Sequence, residues 1–560
     1  MAGTDNKDAE LVFVPLGGVG EIGMNMGLYG FGPAHDRQWL VVDCGVTFGG
    51  PDLPGIELIM PDTRFLEEEA DRIVGLVITH AHEDHYGAVL DLWPTFDKPV
   101  YASRFCEAML KAKRASNGIV DDVDVTVFTP GVPFSLGDFT VEVIPMSHSA
   151  PETGALLIDT PAGRVLHTAD WKIDHGPVGT PMTDIERLKA LGAEGKPLAV
   201  IGDSTNAMKE GVSPSESDIA DNLAALIARA PHRVAVTIFA SNLGRMISIA
   251  RAAAKADRQV VAAGRAIHRV AGIARELGMM EGIPPFLDQN EYGYLPREKV
   301  VLLCTGSQGE SRAAMARIAA GTHPVIDLSP GDWAVFSSWA IPGNEKGVLD
   351  IQNALVDKGV KIITNADEVV HVSGHPRRSE LAQLYDWVKP HLLVPVHGEP
   401  MHLEAHAKFA REQGIGKVFS IRNGDMLRLY PEPAHFPGEV PVGVLYLDGN
   451  LLCTPEESRV RDRRRLALGG LVVISLAVNG AGQIVSGPMF DLDGLPELED
   501  DEDPLLDVVK DAANGAFKSM PGKRRGDTGR LAEAIRRAVR SEVNAVWGRK
   551  PIVKVTVHKV

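Results

Sequence analysis

Four cysteines in 560 residues is little, and Cys44, Cys106, Cys304 and Cys453 form no CxxC pair. That scarcity excludes a disulfide framework and a zinc site built on thiolates. The four read instead as small buried hydrophobes of a protein kept in a reducing cytoplasm. Long apolar runs are also missing. The longest, LALGGLVVISLAV at 466–478, is too short and too broken by glycine to span a bilayer. The first ten residues, MAGTDNKDAE, contain no apolar segment of the kind a signal peptide needs. The expectation is a cytoplasmic protein without a membrane partner. No internal repeat is visible. Positive charge is in deficit as well, with a net charge of −17, which argues against a simple nucleic-acid binder. The deficit is uneven, however. Residues 505–560 hold 13 Lys and Arg against 5 Asp and Glu, directly after the acidic run ELEDDEDPLLD at 497–507. Such asymmetry hints at a polyanionic partner.

Hydrophobic residues make up 44% of the chain, enough for several buried cores at this length. The first 200 residues read as short strands between turns, AELVFVPL, QWLVVDCG, RIVGLVIT, FTVEVIPM, TGALLIDT and RVLHTAD among them, which suggests a sandwich. From about 205 helices and strands alternate, as in NLGRMISIARAAAKA, QVVAAG, AIHRVAGIARELGM and KVVLLCTG, which implies a parallel sheet with helices on it. YPEPAHFPGEVPVG at 430–443 is rich in Pro and Gly and reads as a linker, and the last hundred residues read as a small α/β unit.

Gly18-x-Gly20-x-x-Gly23 follows a strand, with Asp43 twenty residues on, which on paper is a dinucleotide fingerprint. That fingerprint needs a helix next, to aim its N–H groups at pyrophosphate. MNMGLYGFGPAHD is too interrupted to be one. A tight glycine turn between two strands is expected instead.

Residues 79–85 read THAHEDH, three histidines and two acids in seven positions after the apolar run RIVGLVI. Crowding titratable groups without a partner is costly. Residues two apart on an extended chain share a face, so His80, His82 and Asp84 are expected on one side, with His85 arriving from a following helix. Further ligands should also lie at strand ends: His148 in PMSHSAPE, Asp170 in LHTADWKID and His397 in PVHGEP. His and Asp without Cys suit Zn²⁺ or Mn²⁺. Two such ions can raise a nucleophile at neutral pH and stabilise in-line displacement at phosphorus.

THAHEDH, SHSAPE, HTADW and PVHGE resemble the metallo-β-lactamase superfamily. Within it, GGVGEIGMN, VVDCG, GDSTNA, CTGSQGE, IPGNE and HVSGHP are similar to the β-CASP nucleases, most of all the bacterial ribonuclease J family, over residues 15 to 400. The resemblance implies an α/β fold: an αββα sandwich at 1–205 and 351–430, an inserted β-CASP domain at 206–350, a linker at 431–460 and a small C-terminal α/β domain at 461–560. It implies two Zn²⁺ per chain, with Mn²⁺ or Mg²⁺ as alternatives in activity. One ion would take His80, His82 and His148. The other would take Asp84, His85 and His397, Asp170 would bridge, and Asp43 would orient a ligand histidine from behind. Asp84, His375 and Asp203 would be catalytic, with Asp203 orienting His375. The stretch His371, Val372, Ser373, Gly374 and His375 would contact substrate. On physical grounds Ser307 and Gly309, at a turn expected to lead from strand to helix, and Ser241 and Asn242 in FASNLGR could offer N–H groups to a phosphate. The family implies 5′→3′ exonuclease and endonuclease activity on 5′-monophosphorylated RNA, in mRNA decay and rRNA maturation. It also implies a homodimer and degradosome or ribosome-associated partners. The C-terminal region departs from the aromatic, glycine-rich wording of many members. Rival readings are a DNA-directed nuclease of the same family and a small-molecule metallo-hydrolase.

Overall fold

The computed structural model describes residues 9–117, 123–341, 343–497 and 504–560. Residues 498–503 of the acidic run lie outside the described residues. The chain divides into two compact units. One comprises the residues up to Thr47 with Leu58–Leu445, and the other Phe48–Glu57 with Tyr446–Val560.

The larger unit opens with Glu10–Gly17, Met26–Gly32 and Gln38–Val42 pairing in antiparallel order. Ile73–Val77, Val100–Ala102 and Val125–Val127 extend that sheet in parallel. Facing it is a six-stranded sheet, in which Arg164–His167, Leu198–Asp203 and Leu392–Val396 run parallel beside antiparallel Gly154–Asp159 and Phe139–Pro145. Alternation explains why these strands are apolar on both faces. Leu156 and Ile158 turn inward, onto the core of Phe13, Tyr29 and Phe31 between the sheets. Ala155 and Leu157 turn outward, onto helices through Leu188, Leu381 and Leu384. No dinucleotide helix follows the glycines: Gly18, Gly20 and Gly23 take φ of +83°, +89° and +111° and turn the chain between two strands, as the sequence reading expects.

The inserted domain is a fully parallel sheet in the order Gln259–Ala263, Val300–Cys304, Val234–Thr237, Trp333–Phe336, Lys361–Ile363. Its last strand lies beyond the expected boundary at 350, because KII is too short to register as a strand by pattern. The chain then re-enters the sandwich: Leu392–Val396 joins Leu198–Asp203, and Asp425–Tyr430 pairs with Glu10–Gly17. The stretch 431–460, expected as a linker, is largely structured. Ala434–Glu439 forms the edge strand of the first sheet. Val444–Asp448 and Leu451–Cys453 form a hairpin.

In the smaller unit Leu471–Val478 pairs with Ile484–Asp493 and Ile552–Lys559. Leu531, Ile535, Val539 and Val543 of the helix Thr528–Trp547 recur every four residues and pack on Val472, Ile474 and Leu476. Among the described residues no helix is long and apolar enough to cross a membrane, and all four cysteines are free.

Candidate metal centre

Each expected ligand hangs from the carboxyl end of a sandwich strand. THAHEDH follows Ile73–Val77, His148 follows Phe139–Pro145, Asp170 follows Arg164–His167 and His397 follows Leu392–Val396. The structure gathers them into two groups. His80, His82, His148 and Asp170 form one, and Asp84, His85, Asp170 and His397 the other, with the ligand atoms of each group within 4.8 Å of one another. Asp170 belongs to both. Its Oδ2 lies 3.8 Å from His80 Nε2, 3.4 Å from His85 Nε2 and 3.5 Å from His148 Nε2, and its Oδ1 lies 3.6 Å from His397 Nδ1.

The division does not come from strand alternation, as expected from the spacing. The strand ends at Val77, and His82 is the N-cap of a short helix Glu83–Tyr86. That turn brings Asp84 and His85 beside His397, while the His80 ring stays close to both His82 and His85, at centroid distances of 4.7 and 4.1 Å. The bend is held by a close approach: a Cβ on Gly45 would sit 1.7 Å from the Asp84 carbonyl oxygen. Asp43, Ala169 and His397 sit at φ of +62°, +50° and +53°, left-handed values uncommon outside glycine. Strain of this kind persists where surrounding structure enforces it, and it clusters at functional sites.

Hydrogen bonds behind the ligands fix which nitrogen faces inward. His85 Nδ1 donates to Asp43 Oδ2 at 2.7 Å, and Asp43 also accepts from the Thr79 N–H and hydroxyl at 2.8 and 2.9 Å. His148 Nδ1 donates to the Gly374 carbonyl at 2.8 Å. The Nε2 atoms then face the centre, that of His148 3.1 Å from His82 Nδ1 and that of His85 3.2 Å from Asn25 Nδ2, the orientation that carboxylate- and carbonyl-held ligand histidines take. Two atoms point to what is needed there: His80 Nε2 and Asp170 Oδ1 are buried without a hydrogen-bond partner. A buried imidazole lone pair and a carboxylate oxygen left without partners are expensive, and a divalent cation satisfies both. The residues present therefore fit a pair of divalent ions.

Electrostatics separates the groups. Burial, aided by His85 and His82, pushes His80 well below the usual imidazole range. Burial likewise lowers His82 to about 4 and His148 to about 3. These rings stay neutral, with lone pairs available. Burial also works against a charge on His85 and His397, but the acids around them prevail. Asp170, Asp84 and Asp43 raise His85, and Asp170 with hydrogen bonds to Asp203 and Asp84 raises His397 to about 10. Burial would raise Asp84 and Asp170; the adjacent histidines outweigh it and hold both carboxylates ionised.

Beside the centre, His375 Nδ1 donates to Asp203 Oδ2 at 2.8 Å. Burial lowers the pKa of His375, yet Asp203 and Asp170 raise it overall. His371 is buried, its Nδ1 unpartnered and its pKa pushed down by burial and Arg245. A depression next to His148 is lined by Ser149, Lys172, Asn242, Val372, Ser373 and Gly374. Asn242 is also the N-cap of Leu243–Lys255, accepting from Arg245 N at 2.8 Å, and Ser241, half-buried, precedes it.

Ser307 and Gly309 lie elsewhere than expected. No helix begins until Ala314, and that helix has only six residues, so the strand-to-helix N–H cradle is missing. Ser307 is buried, and a Cβ on Gly309 would meet the Gly347 carbonyl carbon at 2.7 Å, which accounts for the glycine by packing.

Other residues were not singled out from sequence. Asn206 Nδ2 donates to Ser373 Oγ at 2.9 Å and to the His375 carbonyl at 3.1 Å, and the Ser213 hydroxyl donates to the same carbonyl at 3.0 Å. Asn25 Nδ2 donates to the Asp84 carbonyl at 3.0 Å. His406 faces Ser204 at 2.8 Å, behind Asp203. Only His406 left a readable signal, a histidine among Leu403, Ala407 and Ala410 on one apolar helix face.

Comparison with known proteins agrees with this architecture. Residues 38–188 match a beta-lactamase superfamily domain, 231–355 the ribonuclease J beta-CASP domain, 359–420 a Zn-dependent metallo-hydrolase RNA specificity domain and 458–560 the ribonuclease J C-terminal domain. The last match removes the departure seen in the C-terminal wording. A ribonuclease J of Sinorhizobium meliloti is 50% identical over 99% of this chain and 98% of its own. One of Mycolicibacterium smegmatis is 37% identical over 97% and 96%. A crystal structure of an Enterococcus faecalis protein of unknown function shares the fold, with a TM-score of 0.52 at 16% identity over 75% of this chain and 100% of its own. Full-length identity of this order, with matched domains in the same sequence, makes the chain a member of the ribonuclease J family.

Proposed function

We propose that this chain is a metal-dependent ribonuclease with 5′→3′ exonuclease and endonuclease activity, acting in mRNA decay and rRNA maturation in the cytoplasm. Its substrate is RNA, with 5′-monophosphorylated ends preferred. A homodimer with degradosome or ribosome-associated partners belongs to the same reading. The observation that carries it is Asp170, a buried carboxylate common to two His/Asp groups, with His80 Nε2 and its own Oδ1 unpartnered. A structural ion takes a closed set of four ligands; six ligands around a seventh, shared carboxylate suit a catalytic pair.

His80, His82 and His148 would hold one Zn²⁺, and Asp84, His85 and His397 the other, with Asp170 between them. Two such ions supply Lewis acidity at phosphorus and make water a nucleophile near neutral pH. The residues of the chain do the rest. Asp43 and the Gly374 carbonyl hold His85 and His148 in fixed tautomers. His375, kept protonated by Asp203, gives its proton to the departing 3′ oxygen. Asn206 and Ser213 hold the His375 carbonyl and so aim the ring. Asn242, Val372, Ser373 and Gly374 border the depression through which the strand would pass.

The deciding experiment digests 5′-monophosphate RNA, 5′-triphosphate RNA and DNA of one sequence, with and without chelator. Cleavage of RNA alone, fastest with the monophosphate and abolished by chelator, is expected. Preferential cleavage of DNA, or RNA cleavage indifferent to chelator, refutes the reading.

A further inference from the structure

In a chain of net charge −17, residues 505–560 carry 13 Lys and Arg against 5 Asp and Glu, and the His/Asp centre makes no use of them. Several of these cations are neutralised on their own helix. Arg530 pairs with Asp527 at 3.2 Å, and Arg536 and Arg537 pair with Glu533 at 2.7 and 2.5 Å. Others are not. Arg540, Arg549 and Lys550 form no ion pair among the described residues. With Arg465 they converge on one open depression of about 540 Å³, where the helix Val460–Gly469, the end of Thr528–Trp547 and the start of Ile552–Lys559 meet. Among the described residues no carboxylate lines it. Of the four, Arg465 alone pairs with an acid among the described residues: Asp462, at 3.7 Å and shared with Arg459.

The arrangement is built rather than incidental. Arg549 Nη1 donates to the Leu468 carbonyl at 3.0 Å, which fixes one guanidinium at the rim. Arg540 Nε is buried with no hydrogen-bond partner. Four cations around one hollow repel one another, and an anion with several oxygens relieves that repulsion. Guanidinium forks match phosphate geometry. The hollow is too large for one phosphate. Its wall also includes Asn544 and Leu468, the latter 67% exposed, a donor and an apolar surface of the kind a nucleobase meets.

We propose that this depression is a second polyanion site, in the C-terminal unit, that holds phosphates of an RNA strand. That the polyanion is RNA rests on the ribonuclease reading; the anion site itself does not. Arg549 and Lys550 are exposed, so replacing them leaves the fold intact.

The test uses the full chain with chelator, so that RNA is bound but not cut, and follows the anisotropy of a labelled 24-nucleotide RNA between 50 and 300 mM salt. For R549Q/K550Q the slope of log affinity against log salt should fall by about 1.4, roughly 0.7 for each phosphate of a single strand that is no longer neutralised. Arg540→Gln should lower it by about half as much. Hydrolysis of a dinucleotide, whose single phosphodiester must occupy the His/Asp centre to be cut, should match the unaltered chain. Unchanged affinity and slope in both variants overturn the proposal. So does weakened binding of a polyglutamate peptide with RNA binding intact, which would make the hollow a protein site. A chain that cuts no RNA but still shows the altered slopes refutes the ribonuclease reading and leaves this site standing.

Discussion

Two sets of loops in the larger unit follow the carboxyl ends of strands, and they use their side chains differently. The sandwich loops present His80, His148, Asp170 and His397, whose reactive atoms face one another and are incompletely satisfied by protein. The inserted domain's loops present Asn242, Ser307 and Gly309, which the fold itself consumes. Asn242 caps a helix, Ser307 is buried and Gly309 lies against Gly347. A buried imidazole or carboxylate has few inexpensive structural uses, so a cluster of them points to a ligand. Ser, Asn and Gly have many such uses, and a turn containing them points to nothing beyond the turn.

If that contrast is sound, the largest effects belong to the sandwich loops. Asp170→Ala removes the carboxylate common to both groups. RNA cleavage should drop by on the order of 10³-fold or more, the equivalent of several kcal/mol of transition-state charge stabilisation. Metal content should fall from two ions per chain while the far-ultraviolet spectrum stays unchanged; His80→Ala should behave alike. Retained cleavage with one tightly held ion would remove the distinction between the two sets of loops.

His375 comes next, since it belongs to the re-entry segment between them. Its ring is hydrogen-bonded to Asp203 and forms a third group with Asp203, Asp170 and His397; if it serves as the proton donor, His375→Ala should lose about 10²–10⁴-fold in turnover, the usual share of a general acid, and keep both ions. A variant with near-normal turnover excludes His375 as the proton donor.

How far the sequence revealed the two sets follows from the same physics. The strand-end histidines and aspartates stood out because titratable groups are rare directly after apolar strands. How they divide between two groups did not, since it depends on the helical turn Glu83–Tyr86 rather than on extended alternation. Asn206 and Ser213 were invisible, as a single polar residue in a loop resembles any other until its partner across more than 160 residues of sequence is in place. That Lys361–Ile363 belongs to the inserted sheet, past the expected boundary at 350, and that Ala434–Glu439 is an edge strand were not legible, because pairing partners, not local propensity, place them there.

A smaller effect is expected at Asp43, which is buried and accepts hydrogen bonds from His85 and Thr79. Partners of this kind are worth about 10–100-fold in metal affinity or activity. Asp43→Asn should therefore weaken metal binding, measured by competition with a chromogenic chelator, and excess metal should restore part of the turnover. Loss of activity that no metal concentration restores would assign Asp43 a direct part in the chemistry.

The smallest effects on catalysis should come from the inserted loops, and Ser307 is the sharpest case. If its turn formed a 5′-phosphate pocket, filling it would erase the preference for monophosphate ends and spare internal cleavage. The structure argues otherwise, because Ser307 is only 3% exposed and the helix that would aim N–H groups at a phosphate begins seven residues later, at Ala314. Ser307→Ala removes little volume and should leave both activities within about twofold, less than the tenfold that 1.4 kcal/mol represents. Ser307→Leu adds volume to a packed interior and should cost about 1–3 kcal/mol of stability. Its melting temperature should drop, and monophosphate-dependent decay and internal cleavage should decline in parallel. If the leucine variant melts normally and loses only the monophosphate preference, Ser307 lines a phosphate pocket after all, and the inserted loops contribute to the site as directly as the sandwich loops do.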